Sequence, residues 1–158
     1  MIDRKGETTF DTPANHKIQN RERIAWLFGE NWSKDEVIKF NKSGDSDKPE
    51  AWELPNHRRP PCHQEKNTYP AVYGRMYAEL PAPTITTGFG STGQGRFVHP
   101  HRKRSLTPHE AARVQTFPDF FDFSSENGRV SLQTLIGNAV PPFLGSHIAL
   151  QAILVNGA

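Results

Sequence analysis

Apolar positions along this chain fall in short runs separated by polar, proline-broken stretches. Ile24-Ala25-Trp26-Leu27-Phe28 is one such run, preceded by polar residues from Ile18. A run this short predicts a buried strand fed by an extended loop over 18–28. Ser33, followed by Glu36, predicts a short capped helix over 33–40 with Val37, Ile38 and Phe40 as its apolar residues. Residues 41–61 read as loop. Tyr69 to Tyr77, Pro83 to Thr87 and Gly95 to His99 have strand-forming composition. Phe117 to Phe123 is an aromatic turn segment, and 130–135 has no decisive pattern. A last helix after Pro142, to about Val155, places Phe143, Leu144, Ile148, Ala152 and Val155 on one face. That face requires something to bury against. Residues 1–9 are polar and are expected to fray, and no internal repeat is present.

The best-marked element is a helix over 108–116. Thr107 is a good N-cap and Pro108 takes the first helical position, where its missing N–H costs nothing. Glu110 stands where its side chain reaches back to the cap backbone, completing a capping box.

Composition narrows the picture modestly. The 158 residues suit one domain with a modest core, and the mean hydropathy of −0.68 with thirteen prolines is polar for a free-standing globule. Such a chain is expected to use a partner to bury its apolar faces. The net charge of +2 is too small to imply a nucleic-acid partner by itself. Arg58-Arg59 and the run His99 to Arg104 concentrate positive charge, which is either a solvated face or a binding face. No apolar run approaches membrane-spanning length and no signal peptide is read, so no membrane partner and a cytoplasmic location are expected. The single Cys62 excludes an intrachain disulfide framework.

Several motifs carry chemistry by letter. Gly88-Phe89-Gly90-Ser91-Thr92-Gly93 fits a dinucleotide fingerprint, but a strand-like segment follows it where a helix is required. A loop that approaches a phosphate or a base edge is the better reading, with donors on Thr86, Thr87, Ser91, Thr92, Gln94 and Arg96. Arg102 and Lys103 suit phosphate contacts. His57, Cys62 and His63 are too few and too loop-bound for a metal site, and none is expected. Arg21 and Arg23 alternate along the segment taken as extended, which points them to one side.

Three blocks together resemble the C5-cytosine-specific DNA methyltransferases. They are Gln19-Asn20-Arg21-Glu22-Arg23, the stretch Arg104 to Asp119 (RSLTPHEAARVQTFPD), and Gly137-Asn138-Ala139-Val140-Pro141-Pro142. Their order is the family's, and the resemblance covers the C-terminal part of that family. It implies an α/β fold: the C-terminal part of a Rossmann-like methyltransferase domain plus a small, loop-rich target-recognition domain. Residues 1–40 would end the catalytic sheet, 41–130 would form the target-recognition region including helix 108–116, and 131–158 would return to the catalytic domain.

The same resemblance implies roles. Arg23 would bond the flipped cytosine, while Arg21 and Gln19 would hold the DNA backbone and the surroundings of the active site. A surface ion-pair edge is the structural alternative for the two arginines. Asn138, Ala139 and Val140 would lie near S-adenosylmethionine; alternatively Asn138 caps the last helix. Glu110 and Arg113 read as structural, the first as a cap, the two as an ion pair one turn apart. The family's cysteine nucleophile, its glutamate and its glycine-rich cofactor turn have no counterpart at a plausible position. Pro61-Cys62-His63 and Glu126-Asn127-Gly128 stand in the wrong order for them.

The expectation is therefore the C-terminal segment or subunit of a DNA (cytosine-5-)-methyltransferase of a restriction–modification type. It would be inactive alone, partnered by a catalytic-half polypeptide and double-stranded DNA, or else truncated. A non-catalytic DNA-binding module and an inactive remnant are the alternatives.

Overall fold

The computed structural model describes residues 9–41, 50–64 and 72–156. The expected fraying of 1–8, part of the 41–61 loop and the start of the 69–77 strand lie outside the described residues. Among the described residues five α-helices form: α1 (Ile18–Leu27), α2 (Lys34–Phe40), α3 (Pro108–Val114), α4 (Arg129–Asn138) and α5 (Pro142–Asn156). Short 3₁₀ turns lie at Asn56–Arg58, Pro61–His63 and Thr92–Gln94.

The first finding is a correction: 18–28 forms the helix Ile18–Leu27 with its C-cap Phe28, not loop and strand. Its residues are mostly good helix formers, and the apolar run occupies the last turns, where Ile24, Trp26 and Leu27 are buried. Gly29 ends it in the left-handed region, φ 84°. The Gly29 N–H donates to Trp26 O (3.0 Å) and the Glu30 N–H to Ala25 O (3.1 Å). This is the double-bonded C-cap that a glycine just past an apolar run signals. α2 and α3 carry the capping boxes read in the sequence, with Ser33 Oγ accepting from the Glu36 N–H and Thr107 Oγ1 from the Glu110 N–H. α3 ends at Val114, two residues before the expected end, because Thr116 turns left-handed at φ 66°.

Strands are the second correction. Among the described residues only isolated bridges occur, Arg75 with Val98 in parallel and Val98 with Ser105 antiparallel. Around them, Met76 N–H donates to Val98 O (2.9 Å) and Leu106 N–H to Phe97 O (3.1 Å). The segment 83–99 is broken by Pro83, Gly88, Gly90, Gly93 and Gly95, too often for a ladder to extend.

Two hydrophobic clusters organise the fold. One joins Ile24, Trp26, Leu27, Ala51, Leu54, Tyr73 and Val98. The other joins Met76, Ile85, Phe89, Phe97, Leu106, Ala111, Ala112 and Ile136, flanked by Phe10, Phe117 and Phe123. α4, for which the sequence had no pattern, buries Leu132 and Ile136.

α5 is different. Leu144, Ile148, Leu150, Ile153 and Leu154 are all more than half exposed, so its apolar residues lie bare on several sides and not on one face. Arg129–Val155 taken as one stretch reaches 27 residues with a best-window hydropathy of 1.2, the length and composition of a membrane span. However, Ala139 to Pro141 divides the stretch into helices of 10 and 15 residues, each short of the ~20 a span needs.

Candidate nucleic-acid interface

α1 sorts the Gln19–Arg23 block by its own geometry. Gln19, Glu22, Arg23 and Trp26 follow helical spacing, and with Leu54 and Arg58 they line a cleft of about 170 Å³. Arg21 is exposed and absent from that lining. Two residues apart on a helix means roughly 200° of rotation. The expected shared side for Arg21 and Arg23 is therefore corrected: Gln19 and Arg23 converge, and Arg21 faces away. Arg23 Nη1 donates to Asn20 Oδ1 (2.8 Å) and Nε to Arg58 O (3.3 Å), and its guanidinium lies 5.7 Å from the Tyr73 ring centroid. Tyr73 itself sits at φ 61°, a costly conformation for a bulky residue. Its hydroxyl is bonded to His63 Nδ1 at 3.2 Å.

Across the cleft, Arg58 is neutralised. Its Nε and Nη2 reach the two carboxylate oxygens of Glu36 at 2.9 and 2.7 Å, and His57 Nε2 adds a contact at 3.0 Å. The Arg58 guanidinium holds the Glu36 carboxyl well below the usual carboxylate range, against burial that would raise it.

The second arginine–carboxylate clamp belongs to the α3 block. Arg104 Nη1 and Nη2 each donate to Glu110 at 2.7 Å. Burial would raise the Glu110 pKa, but Arg104 and the Thr107 backbone N–H outweigh it and hold it at about 2. Glu110 does cap, as expected, but its arginine is not Arg113. Arg113 instead forms a two-point pair with Asp119, 2.7 Å on each arm. Fixing Arg104 leaves Arg102 and Lys103 exposed at the tip of the turn, with Lys103 bonded to Glu30 and Arg102 4.0 Å from Glu110.

The glycine-rich loop lies between these parts. Thr86, Thr87 and Gln94 are exposed, Ser91 is half-buried and Thr92 is buried. Only a 3₁₀ turn follows the glycines, Thr92–Gln94, so the helix a dinucleotide site needs is missing here. Arg96 is held inward: Nη1 donates to Trp52 O (2.9 Å) and Arg75 O (3.0 Å), Nη2 to Glu53 Oε1 (2.6 Å).

Gly137-Asn138-Ala139-Val140 spans the end of α4 and the break before α5. Asn138 is the last residue of α4 and not the cap of α5, which begins at Pro142. Gly137 lies so close to the exposed threonines that a Cβ on it would stand 2.3 Å from Thr87 N. Asn138 and Val140 are exposed and Ala139 is half-buried. Cys62 is exposed on a 3₁₀ turn and Glu126 closes a turn on Phe123. Among the described residues no cluster of metal-ligating side chains exists.

A contact that sequence reasoning missed ties the α3 and α4 blocks. Gln115 Nε2 donates to Ile136 O at 3.1 Å within the interior. The signal was there, since a polar residue on the core side of a capped helix needs a partner.

Comparison with known proteins supplies the family. The model of the C-5 cytosine-specific DNA methylases matches residues 4–153. The type II methyltransferase M1.BsuMI of Bacillus subtilis is 46% identical over 154 residues, covering 97% of this chain and 31% of that protein. The type II methylase M.HgiDII of Herpetosiphon aurantiacus is 45% identical over 93 residues, 56% of this chain and 26% of that protein. The type II methyltransferase M.AquIB of a Picosynechococcus species is 33% identical over 95 residues, 54% of this chain and 66% of that protein. The chain thus spans about a third of the length of M1.BsuMI, whereas M.AquIB is itself a short chain.

Proposed function

The chain belongs to the C-5 cytosine-specific DNA methylase family, and with it to an α/β methyltransferase class; we propose that it is the C-terminal segment or subunit of a cytoplasmic DNA (cytosine-5-)-methyltransferase. It contributes target recognition and part of the base and cofactor sites, and is inactive without a catalytic half that brings the nucleophile. The observation that carries this reading is α5, a helix whose apolar residues nothing among the described residues covers. A helix apolar on all sides belongs inside a larger protein. M1.BsuMI, three times the matched length, has the mass to supply the cover, and M.AquIB shows that a family relative can be as short as this chain.

In this reading double-stranded DNA lies against Gln19 and Arg23 in the α1 cleft, the donors of Thr86, Thr87, Ser91 and Gln94, and the basic tip at Arg102 and Lys103. Thr92 and Arg96 hold the loop from inside, Arg96 through its three internal bonds. Arg21 is not assigned to the base, because its face of α1 is not the cleft's.

S-adenosylmethionine would supply the methyl group. Asn138 offers a carboxamide, Ala139 a backbone without bulk, and Val140 an apolar surface, all at an open turn. Those groups fit one wall of such a site, with the rest contributed by the catalytic half.

The test is complementation. The chain is mixed with a family catalytic half that ends before Gln19, and methyl transfer from labelled S-adenosylmethionine to DNA is measured. Activity in the mixture alone, reduced by Arg23→Ala, is expected. Transfer by the isolated chain that depends on Cys62 would overturn the proposal.

A further inference from the structure

α1 and α3 end in the same way on different residues. Past α1, Gly29 takes the left-handed position at φ 84°; past α3, Thr116 takes it at φ 66°. α3 is closed by the two backbone bonds of that cap, Thr116 N–H to Arg113 O (2.9 Å) and Phe117 N–H to Ala112 O (3.0 Å). Glycine adopts this conformation without strain, whereas a β-branched side chain is an outlier there. The C-cap alone therefore does not call for a threonine.

The Thr116 hydroxyl has a separate task. α5 begins at Pro142, and the Pro141 carbonyl accepts its first helical bond, from the Gly145 N–H at 2.9 Å. Pro141 thus stands at the N-cap without a side-chain acceptor, and neither proline has an N–H. Phe143 and Leu144 are left as the first-turn donors that helical bonding does not reach. Phe143 donates its N–H to Thr116 Oγ1 at 3.1 Å. That is the bond an N-cap side chain makes to the second helical residue, here supplied by a residue 27 positions away.

Gln115, the preceding residue, holds the other side of the break. Its Nε2 reaches the Ile136 carbonyl in the last turn of α4. Two consecutive residues at the end of α3 thus grip α4 and α5 on either side of Ala139 to Pro141. Asn138, Ala139 and Val140 stand between the two grips.

We propose that Thr116 is a positioning residue for methyl transfer: its hydroxyl caps α5 from the end of α3 and, with Gln115, fixes the bend that carries Asn138, Ala139 and Val140. The inference rests on the cofactor wall assigned above to those three residues. Thr116 acts through α5 and the bend, not on the reacting atoms.

Three variants of the full chain test it, each checked for folding by circular dichroism. Thr116→Gly relieves the left-handed strain, keeps the C-cap and removes the hydroxyl. Thr116→Val keeps the branched shape without the hydroxyl, and Thr116→Ser retains the hydroxyl. Amide hydrogen exchange at Phe143 is expected to quicken by about fivefold or more in Thr116→Gly and Thr116→Val, and to stay near wild type in Thr116→Ser. In the complementation mixture, the KM for S-adenosylmethionine should rise by about fivefold in the first two with kcat little changed, and Thr116→Ser should restore it. Unchanged Phe143 exchange in Thr116→Gly overturns the proposal and leaves Thr116 as a C-cap only. Faster exchange with an unaltered KM overturns the positioning role. A wild-type mixture that transfers no methyl group overturns the reading of the chain and with it the positioning role, while exchange at Phe143 in the chain alone still decides the cap.

Discussion

The Gln115 carboxamide donates a buried hydrogen bond of 3.1 Å to the Ile136 carbonyl, joining the capped helix α3 to the last turn of α4. The residues on either side belong to the two blocks singled out in the sequence: Thr107 to Arg113 before Gln115, Gly137 to Pro142 after Ile136. One bond thus sets the spacing between two blocks that the sequence places far apart. Gln115→Leu removes the donor and leaves the Ile136 carbonyl only the 3.3 Å bond from the Ala139 N–H. We expect a loss of about 0.5–1.5 kcal/mol in chemical denaturation. Unchanged stability would show that the bond does not hold α3 to α4.

Gly137→Ala decides between two opposing effects. Helix propensity alone would stabilise α4 by up to ~1 kcal/mol. A Cβ there would meet Thr87 N at 2.3 Å and Thr86 C at 2.5 Å, which are backbone atoms that cannot swing away. Overpacking of this kind costs about 1–3 kcal/mol, so the net sign is destabilising. The denaturation midpoint should fall, and the exposure of Thr86 and Thr87 should change with it. A rise in midpoint would mean that the contact between α4 and the threonine segment is not maintained.

Acid should release the Glu110 clamp. Its carboxyl ordinarily titrates near 4.5 and is held at about 2 in the fold. A depressed acid stabilises the native state above its unfolded value and loses that contribution as pH falls toward its folded value. The window is therefore about pH 4.5 to 2. Glu110→Gln should be less stable than wild type at pH 6, and the gap should close toward pH 2. A gap independent of pH would assign the loss to the cap alone.

The basic tip gives a salt-dependence test. If Arg102 and Lys103 touch phosphates, Arg102→Gln and Lys103→Gln should each lower the slope of log K against log salt by about 1 for duplex binding. Lys103 is bonded to Glu30 and Arg102 is 67% exposed at its side chain, so neither change removes a core contact. Equal slopes for wild type and both variants would place DNA elsewhere.

How much of this was legible in the sequence depends on the range of the interactions. The caps at Ser33 and Thr107 are local, since cap and acid lie within one turn, and both formed as read. α1 was misread from the length of its apolar run, although Gly29 carried the opposite signal as a C-cap. The short strands expected within 72–99 failed for a different reason. Strand propensity acts only through a paired neighbour, and prolines and glycines leave Val98 with isolated bridges. Of the candidate site, the capping box of α3 was legible in the sequence. The Arg104–Glu110 clamp, the inward turn of Arg96 and the Gln115 bond were not, because each depends on which long side chains the fold brings together.

The last expectation concerns the uncovered helix. Leu150 is 57% exposed and Ile153 66%, so their apolar surface contributes little to the isolated chain. Leu150→Glu should therefore leave the chain's own stability within about 0.5 kcal/mol, as surface substitutions do. In the presence of a catalytic half the same carboxylate would be buried without a partner, a change that costs several kcal/mol at an interface. Methyl transfer by the mixture should then fall at least a hundredfold. A variant that complements as well as wild type would mean that the partner does not cover α5. A variant that unfolds alone would mean that α5 already packs within the chain, contrary to the exposure seen here. The two failures separate through circular dichroism of the isolated chain, so the experiment isolates what α5 does for assembly from what it does for folding.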